Sequence, residues 1–279
     1  MGALARVDEG DDPALVVDTL GGRMHVRWDQ DAAATPHGQL VFFAEFLGAT
    51  GVFDRWVSQC PLAYRSGNAP DKRDVLGTLM MGMLAGHRRY AHITALRGDA
   101  VAAQALGMNK VVSEDALRRA LERIDEASST MWMRPALMHS VRQALDKPWV
   151  LDIDATIKPL YGRQEGAQLV YNWWSWYCRT ANPSARMAAV TSRPLLLAAV
   201  GTVANHAGQT TLYLTPLHGK VNTLKPLIAN IRAALQHVKD TAEQFNVIDR
   251  WAVLLRYVSD KIAPALGPFR PPDVLAATG

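Results

Sequence analysis

Cysteine is nearly absent: Cys60 and Cys178 are the two in 279 residues. Two thiols exclude a disulfide framework and a cysteine-rich zinc site, and they point to a reducing, cytoplasmic setting. Long hydrophobic runs are missing too. The most apolar windows, QLVFFAEFLGATGVF and VLGTLMMGMLAG, fall short of the roughly 20 residues that a membrane-spanning helix needs. The first residues, MGALARVDEGDDPALVVD, carry acids where a secretory signal carries an apolar core, so neither export nor a membrane anchor is expected. No glycine-rich phosphate loop, serine nucleophile elbow or Cys–His pair stands out. The histidines offer no zinc motif. His87 and His92 are five apart in a predicted helix, a spacing that puts them on different faces, and His206 and His218 fall in loop-rich sequence.

Acid is absent from one long stretch. Between Gln168 and Lys239 there is no Asp or Glu, while Arg179, Arg186, Arg193, Lys220, Lys225, Arg232 and Lys239 all carry positive charge. The whole chain is only mildly basic, at +4, so this asymmetry says more than the total. It suits a polyanion such as DNA, and it equally suits a solvated basic face.

What is present is a globular composition, with 49% hydrophobic and 20% charged residues. Residues 15–28 read as two short strands around a turn at Gly21-Gly22. From Gln39 the apolar spacing becomes helical, and KRDVLGTLMMGMLAGHRRYAHITALR continues in that style, with Asp71 placed to cap its start. A short helix follows, then a turn at Gly107-Met108-Asn109 and a second helix capped by Ser113, which together give a helix-turn-helix outline. In that second helix Leu117, Leu121 and Ile124 can face a core, while Arg118, Arg119 and Arg123 are available to DNA phosphates or guanine edges. An ordinary amphipathic helix with a basic outer face has the same pattern. A further helix over 131–147, one short strand near Thr211–Thr215, a long helix over 223–245 and a last helix in DRWAVLLRYVSDKI complete the reading. Trp173, Trp174 and Trp176 crowd one helical stretch, where core packing competes with stacking on bases.

Between the two helical regions lies WVLDIDATI, which alternates as a strand. Asp152 and Asp154, two apart, project from the same face of it. Paired carboxylates on a buried strand are costly unless a cation sits between them, and Mg²⁺ with its oxygen ligands suits the position. Hydrogen bonds to Thr156 or ion pairs with Lys158 and Arg163 would serve as well. Phosphoryl chemistry on metal ions needs at least one further acid. Beyond Glu165 the acids are Asp240, Glu243, Asp249, Asp260 and Asp273, all far along the chain, the first four in or beside helix-forming sequence and the last in the tail PALGPFRPPDVLAATG. Glu165 would reach the strand only through a hairpin return.

VLDIDATIKPLYGRQEGA resembles the first catalytic strand of bacterial insertion-sequence transposases of the DDE type, DDE-domain group 1. CPLAYRSGNAPDKRDVLGTL and LGMNKVVSEDALRRAL upstream, and YNWWSWYCR, TSRPLLLAAV and HAGQTTLYLTPLHGK downstream, are also similar to that family. The resemblance implies an RNase H-like catalytic fold, Mg²⁺, DNA transposon ends as substrate, and Asp154 as the first catalytic and metal-binding carboxylate, with Asp152 the second choice. It also exposes a departure. In the family, further strands with a second Asp and a helix with a Glu separate the GRQEGA and YNWW phrases. Here they nearly abut, at a junction near Ala167–Leu169. The implied protein is an internally deleted transposase with a defective catalytic site. A DNA-binding regulator that forms homo-oligomers or co-assembles with an intact transposase, and an unfolded pseudogene product, are the alternatives.

The expected fold is therefore mainly α, with a small N-terminal β-hairpin and a remnant strand of an RNase H-like α/β core. The expected segments are 1–38 (β-rich), 39–147 (helical, DNA-binding), 148–168 (catalytic remnant) and 169–279 (helical). Without its sheet, the aromatic face of Leu169–Cys178 is expected to be exposed and to promote self-association.

Overall fold

The computed structural model describes residues 15–19, 22–26, 33–64, 67, 69–87, 89–145, 164–206, 208–215 and 220–266. The chain divides into a small unit, Met1–Ala32, and a large one, Ala33–Gly279. In the small unit, β1 (Leu15–Thr19) and β2 (Gly22–Val26) pair antiparallel from Leu15↔Val26 to Thr19↔Gly22. The expected hairpin is present, with Gly22 already in the strand.

The large unit is mainly helical. Its sheet has three antiparallel strands in the order β3 (Ala33–Thr35), β4 (Gly201–His206), β5 (Gln209–Leu214). One short strand was expected near Thr211–Thr215; the structure forms a β4–β5 hairpin and recruits β3 from the far end of the unit. Little of β5 is buried, so no inward-outward alternation announces it. Gly208, at φ +79°, occupies the left-handed region that a tight reversal between the strands demands. The sheet is stitched to the following helix by Gly38 N donating to Ala199 O at 2.8 Å and Gln39 Nε2 donating to Ala198 O at 2.9 Å.

Ten α-helices are assigned among the described residues. The long stretch after Gln39 splits into α1 (Leu40–Thr50) and α2 (Val52–Ser58) at Gly51, whose φ of +71° ends one helix and begins the next. α3 (Lys72–Leu84) starts where Asp71 caps it, accepting from Arg73 N at 2.7 Å. It ends earlier than the sequence suggests. Gly86 at φ +77° turns the chain, and Tyr90–Leu96 forms a 3-10 helix.

α4 (Ala100–Ala105), α5 (Glu114–Glu122) and α6 (Glu126–Leu145) follow. α6 begins five residues before the expected Met131, because Asp125 accepts from Ser128 N at 2.9 Å and caps it there. α7 (Gln164–Ala181) and α8 (Ala189–Leu196) precede the sheet hairpin, and α9 (Val221–Phe245) and α10 (Arg250–Leu266) close the described chain. One apolar stripe of α9 faces inward: Leu224, Ile231, Leu235 and Val238 are buried, and Leu227 and Ile228 pack partly against the core.

α7 is the axis of this core. Leu169, Val170, Trp173, Trp174, Tyr177 and Cys178 are all at most 2% exposed. Phe43 and Phe46 of α1 meet Tyr177 edge-on at 5.1 and 5.4 Å, and Trp173 stands edge-on to Trp56 at 5.6 Å. Trp56 is in turn stacked on Trp132 at 5.2 Å, and Trp132 Nε1 donates to Trp56 O. The expectation of an exposed aromatic face is therefore overturned. Helices from both sides of the chain, α1, α3, α6 and α9, pack on α7 and bury the apolar area a sheet was expected to cover. The strand expected to carry Asp152 and Asp154 lies outside the described residues; of the expected remnant, 148–168, only 164–168 are described, and they form the start of α7.

Candidate nucleic-acid interface

α4, the Gly107 turn and α5 are held as a pair by α3. Asp74 Oδ1 accepts from Asn109 N at 2.8 Å, and Thr78 Oγ1 accepts from Val112 N at 3.0 Å. Ser113 caps α5 by accepting from Ala116 N at 3.2 Å. Leu117, Ala120, Leu121 and Ile124 are buried beneath it, as the spacing predicts. Arg118, Arg119 and Arg123 are on the exposed side.

Two of those arginines are not free charges. Arg118 contacts Asp115 at 3.0 Å and Glu122 at 3.2 Å, and these acids hold its guanidinium above its ordinary pKa. Arg119 lies 3.7 Å from Asp115 Oδ2 and donates Nε to Asp115 O. Arg123 lies over the Tyr64 ring, 5.8 Å from its centroid. Pairs this exposed are weak, so a phosphate can displace them, but each exchange returns part of what it gains.

A second basic surface follows α7. Arg179 in its last turn, exposed Arg186 and half-buried Arg193 of α8 make no ion pair with any described residue. Burial, with the neighbouring Arg186 charge adding to it, lowers the pKa of Arg179 below the arginine norm. Like charges held this close without an acid between them favour an anionic partner. The acid-free sequence pointed to this region.

The structure brings together residues the sequence kept apart. His87 and His92 do not share one helix. The break at Gly86 lets their rings meet edge-to-face at 5.4 Å, against the expectation that they diverge. Burial, then the charges of His92 and His37, lower the pKa of His87. A cavity of about 470 Å³ opens beside His87, between the end of α3, the first turns of α7, and α8. Its walls include Met83, Gln168, Tyr171, Trp174 and Arg193. No sequence pattern pairs His87 with Arg193, more than a hundred positions away.

Asp152 and Asp154 lie outside the described residues. Glu165 sits in the first turn of α7, not on a hairpin return. Of the later acids, Asp249 contacts His139 at 3.0 Å and accepts from Ala252 N at the start of α10. Asp240 accepts from Gln236 of its own helix at 2.7 Å. Among the described residues no group of three or more His, Cys, Asp or Glu could hold a metal ion, so no step is derived through Mg²⁺. Both cysteines are buried and free, and burial pushes the Cys178 thiol up to about 11, which leaves it unreactive at neutral pH. No helix among the described residues is long and apolar enough to cross a membrane.

A helix pair with an arginine-bearing outer face, together with an acid-free basic surface, marks a candidate polyanion binder. The family model for transposase DDE domains of group 1 matches residues 32–238, and the chain belongs to that family. DNA transposition is the activity of the family, and divalent metal is its general cofactor. No curated protein and no solved structure matches the chain.

Proposed function

We propose that this chain is a transposase-lineage protein that binds DNA at transposon ends but no longer cuts it. The observation that carries the reading is the course of α7. It runs unbroken across Ala167–Leu169, where family members would insert the strands and helix bearing their second Asp and Glu. Asp154, the match to the first catalytic carboxylate, and Asp152 beside it are left to find partners among late acids. Of those acids, Asp240 is engaged with Gln236 inside α9, and Asp249 is engaged with His139 of α6 and with Ala252 N at the start of α10. Single-helix continuity of this kind supports an internal deletion near Ala167–Leu169 rather than a rearranged site. The core shared by α1, α6, α7 and α9 supports a folded protein over an unfolded pseudogene product.

DNA contact is assigned to Arg118, Arg119 and Arg123 on α5, with Arg179 and Arg186 supplying the second basic surface. The test is a Mg²⁺-dependent cleavage assay on a labelled duplex carrying the parent element's terminal repeat, with Asp154→Ala alongside. The expected result is no cutting, with a retarded band that weakens as salt rises and weakens further in Arg119→Ala. Metal-dependent cutting that disappears in Asp154→Ala would overturn the catalytic half of the proposal. Equal binding to any duplex would overturn the terminal-end half.

A further inference from the structure

The cavity between α3, α7 and α8 carries an electrostatic mismatch. Its two most basic wall residues, His87 and Arg193, donate no side-chain hydrogen bond to any described residue, and one nitrogen on each, Nδ1 and Nε, is buried without a partner. Of the buried side-chain atoms left unsatisfied among the described residues, these two belong to the same cavity. Buried polar nitrogens are nearly always satisfied, so an unsatisfied one on each of two residues that line the same recess points to a missing partner group.

The chemistry of the walls narrows what that group is. No carboxylate is among the described wall residues, so no described wall residue neutralises the guanidinium. Gln168 donates one Nε2 hydrogen to Asn172 Oδ1 at 2.9 Å, which leaves its other amide hydrogen and its carbonyl without a described side-chain partner. Gly86, at φ +77°, brings bare backbone against Arg193: a Cβ there would lie 3.2 Å from Nη1. A volume of about 470 Å³ lies within the range of about 300–1,000 Å³ usual for small-ligand clefts. A planar guanidinium and an imidazole lining one cavity offer N–H donors that match the oxygens of a phosphate.

We propose that the His87–Arg193 cavity is a phosphate-binding site that takes a phosphate of a DNA strand. The phosphate chemistry stands on the cavity alone. The strand as its source rests on the DNA-binding reading above, and it is favoured by Arg179 further along α7 and Arg186 just beyond it, which continue positive charge away from the cavity with no described acid paired to them.

Histidine side-chain NMR of the full chain, with His87→Asn used to assign the His87 signals, reads the site directly. Inorganic phosphate and a short 5′-phosphorylated DNA strand are titrated separately. Both are expected to shift the His87 signals saturably. Arg193→Gln, shown by a thermal melt to be folded, is expected to weaken both at least tenfold. Arg193→Lys, which keeps the charge and loses the planar fork, is expected to bind at an intermediate level. Arg119→Ala is expected to leave the His87 response unchanged while reducing the band shift on duplex ends, so the two readings fail separately. No saturable shift with either probe, or a shift that survives in Arg193→Gln, would overturn the site. A response to inorganic phosphate but not to the strand would overturn DNA as the source.

Discussion

At Asp99 one carboxylate, only 4% exposed, serves two elements. Oδ1 caps α4 by accepting from Ala102 N at 2.8 Å. Oδ2 accepts from Thr35 Oγ1 of β3 at 2.7 Å and lies 3.3 Å from His37 Nδ1. Burial alone would raise its pKa. The hydrogen bonds from His37, Ala102 and Thr35 outweigh that, and the net direction is down. A depressed carboxylate contributes stability that is present above its unfolded pKa, about 3.9, and is lost as pH falls through the folded value. Acid should therefore loosen the link between the sheet and α4. Asp99→Asn, which puts an amide N–H₂ where one oxygen accepts, is expected to cost about 1–3 kcal/mol at pH 7. It should also flatten the acid limb of stability, as checked by urea melts between pH 3 and 7. An unchanged acid limb in the variant would remove Asp99 from that role.

Among the elements, α5 and α7 show how far local pattern reaches. α5 was readable in full: its cap, its buried stripe and its exposed arginines follow from Ser113 and the three-and-four spacing of Leu117, Leu121 and Ile124. Ser113→Ala is expected to cost about 1 kcal/mol, measured by chemical denaturation, without changing which face carries Arg119. The aromatic helix α7 was readable as a helix but not as a centre. For its tryptophans the sequence leaves core packing in competition with stacking on bases, because the helices that cover them, α1, α3, α6 and α9, lie outside any local window. Trp173→Ala removes the edge-on partner of Trp56 and is expected to cost about 3–5 kcal/mol. A loss under about 1 kcal/mol would mean the tryptophan is not packed as described.

For the molecule as a whole, residues before and after the Asp154 segment form one hydrophobic core rather than two. Their melting should be shared. The full chain is expected to show a single transition, coincident by far-UV circular dichroism and tryptophan fluorescence. A fragment of residues 33–145, stripped of α7, α9 and α10, is expected to show no cooperative transition. Two separated transitions in the full chain, or a cooperative fragment, would refute a shared core.

The sequence by itself determined the family, the helical character, the hairpin at β1–β2, the caps at Asp71 and Ser113 and the acid-free basic stretch. These are local or compositional properties, set by period, capping chemistry and charge counts within short windows. Tertiary structure alone decided that Gly86 ends α3 early, that His87 meets His92 and shares a cavity with Arg193, that β3 joins the β4–β5 hairpin, and that α7 is buried rather than bare. Each of these depends on contacts between residues distant in the chain, and burial of apolar area is indifferent to where along the chain the covering residues come from.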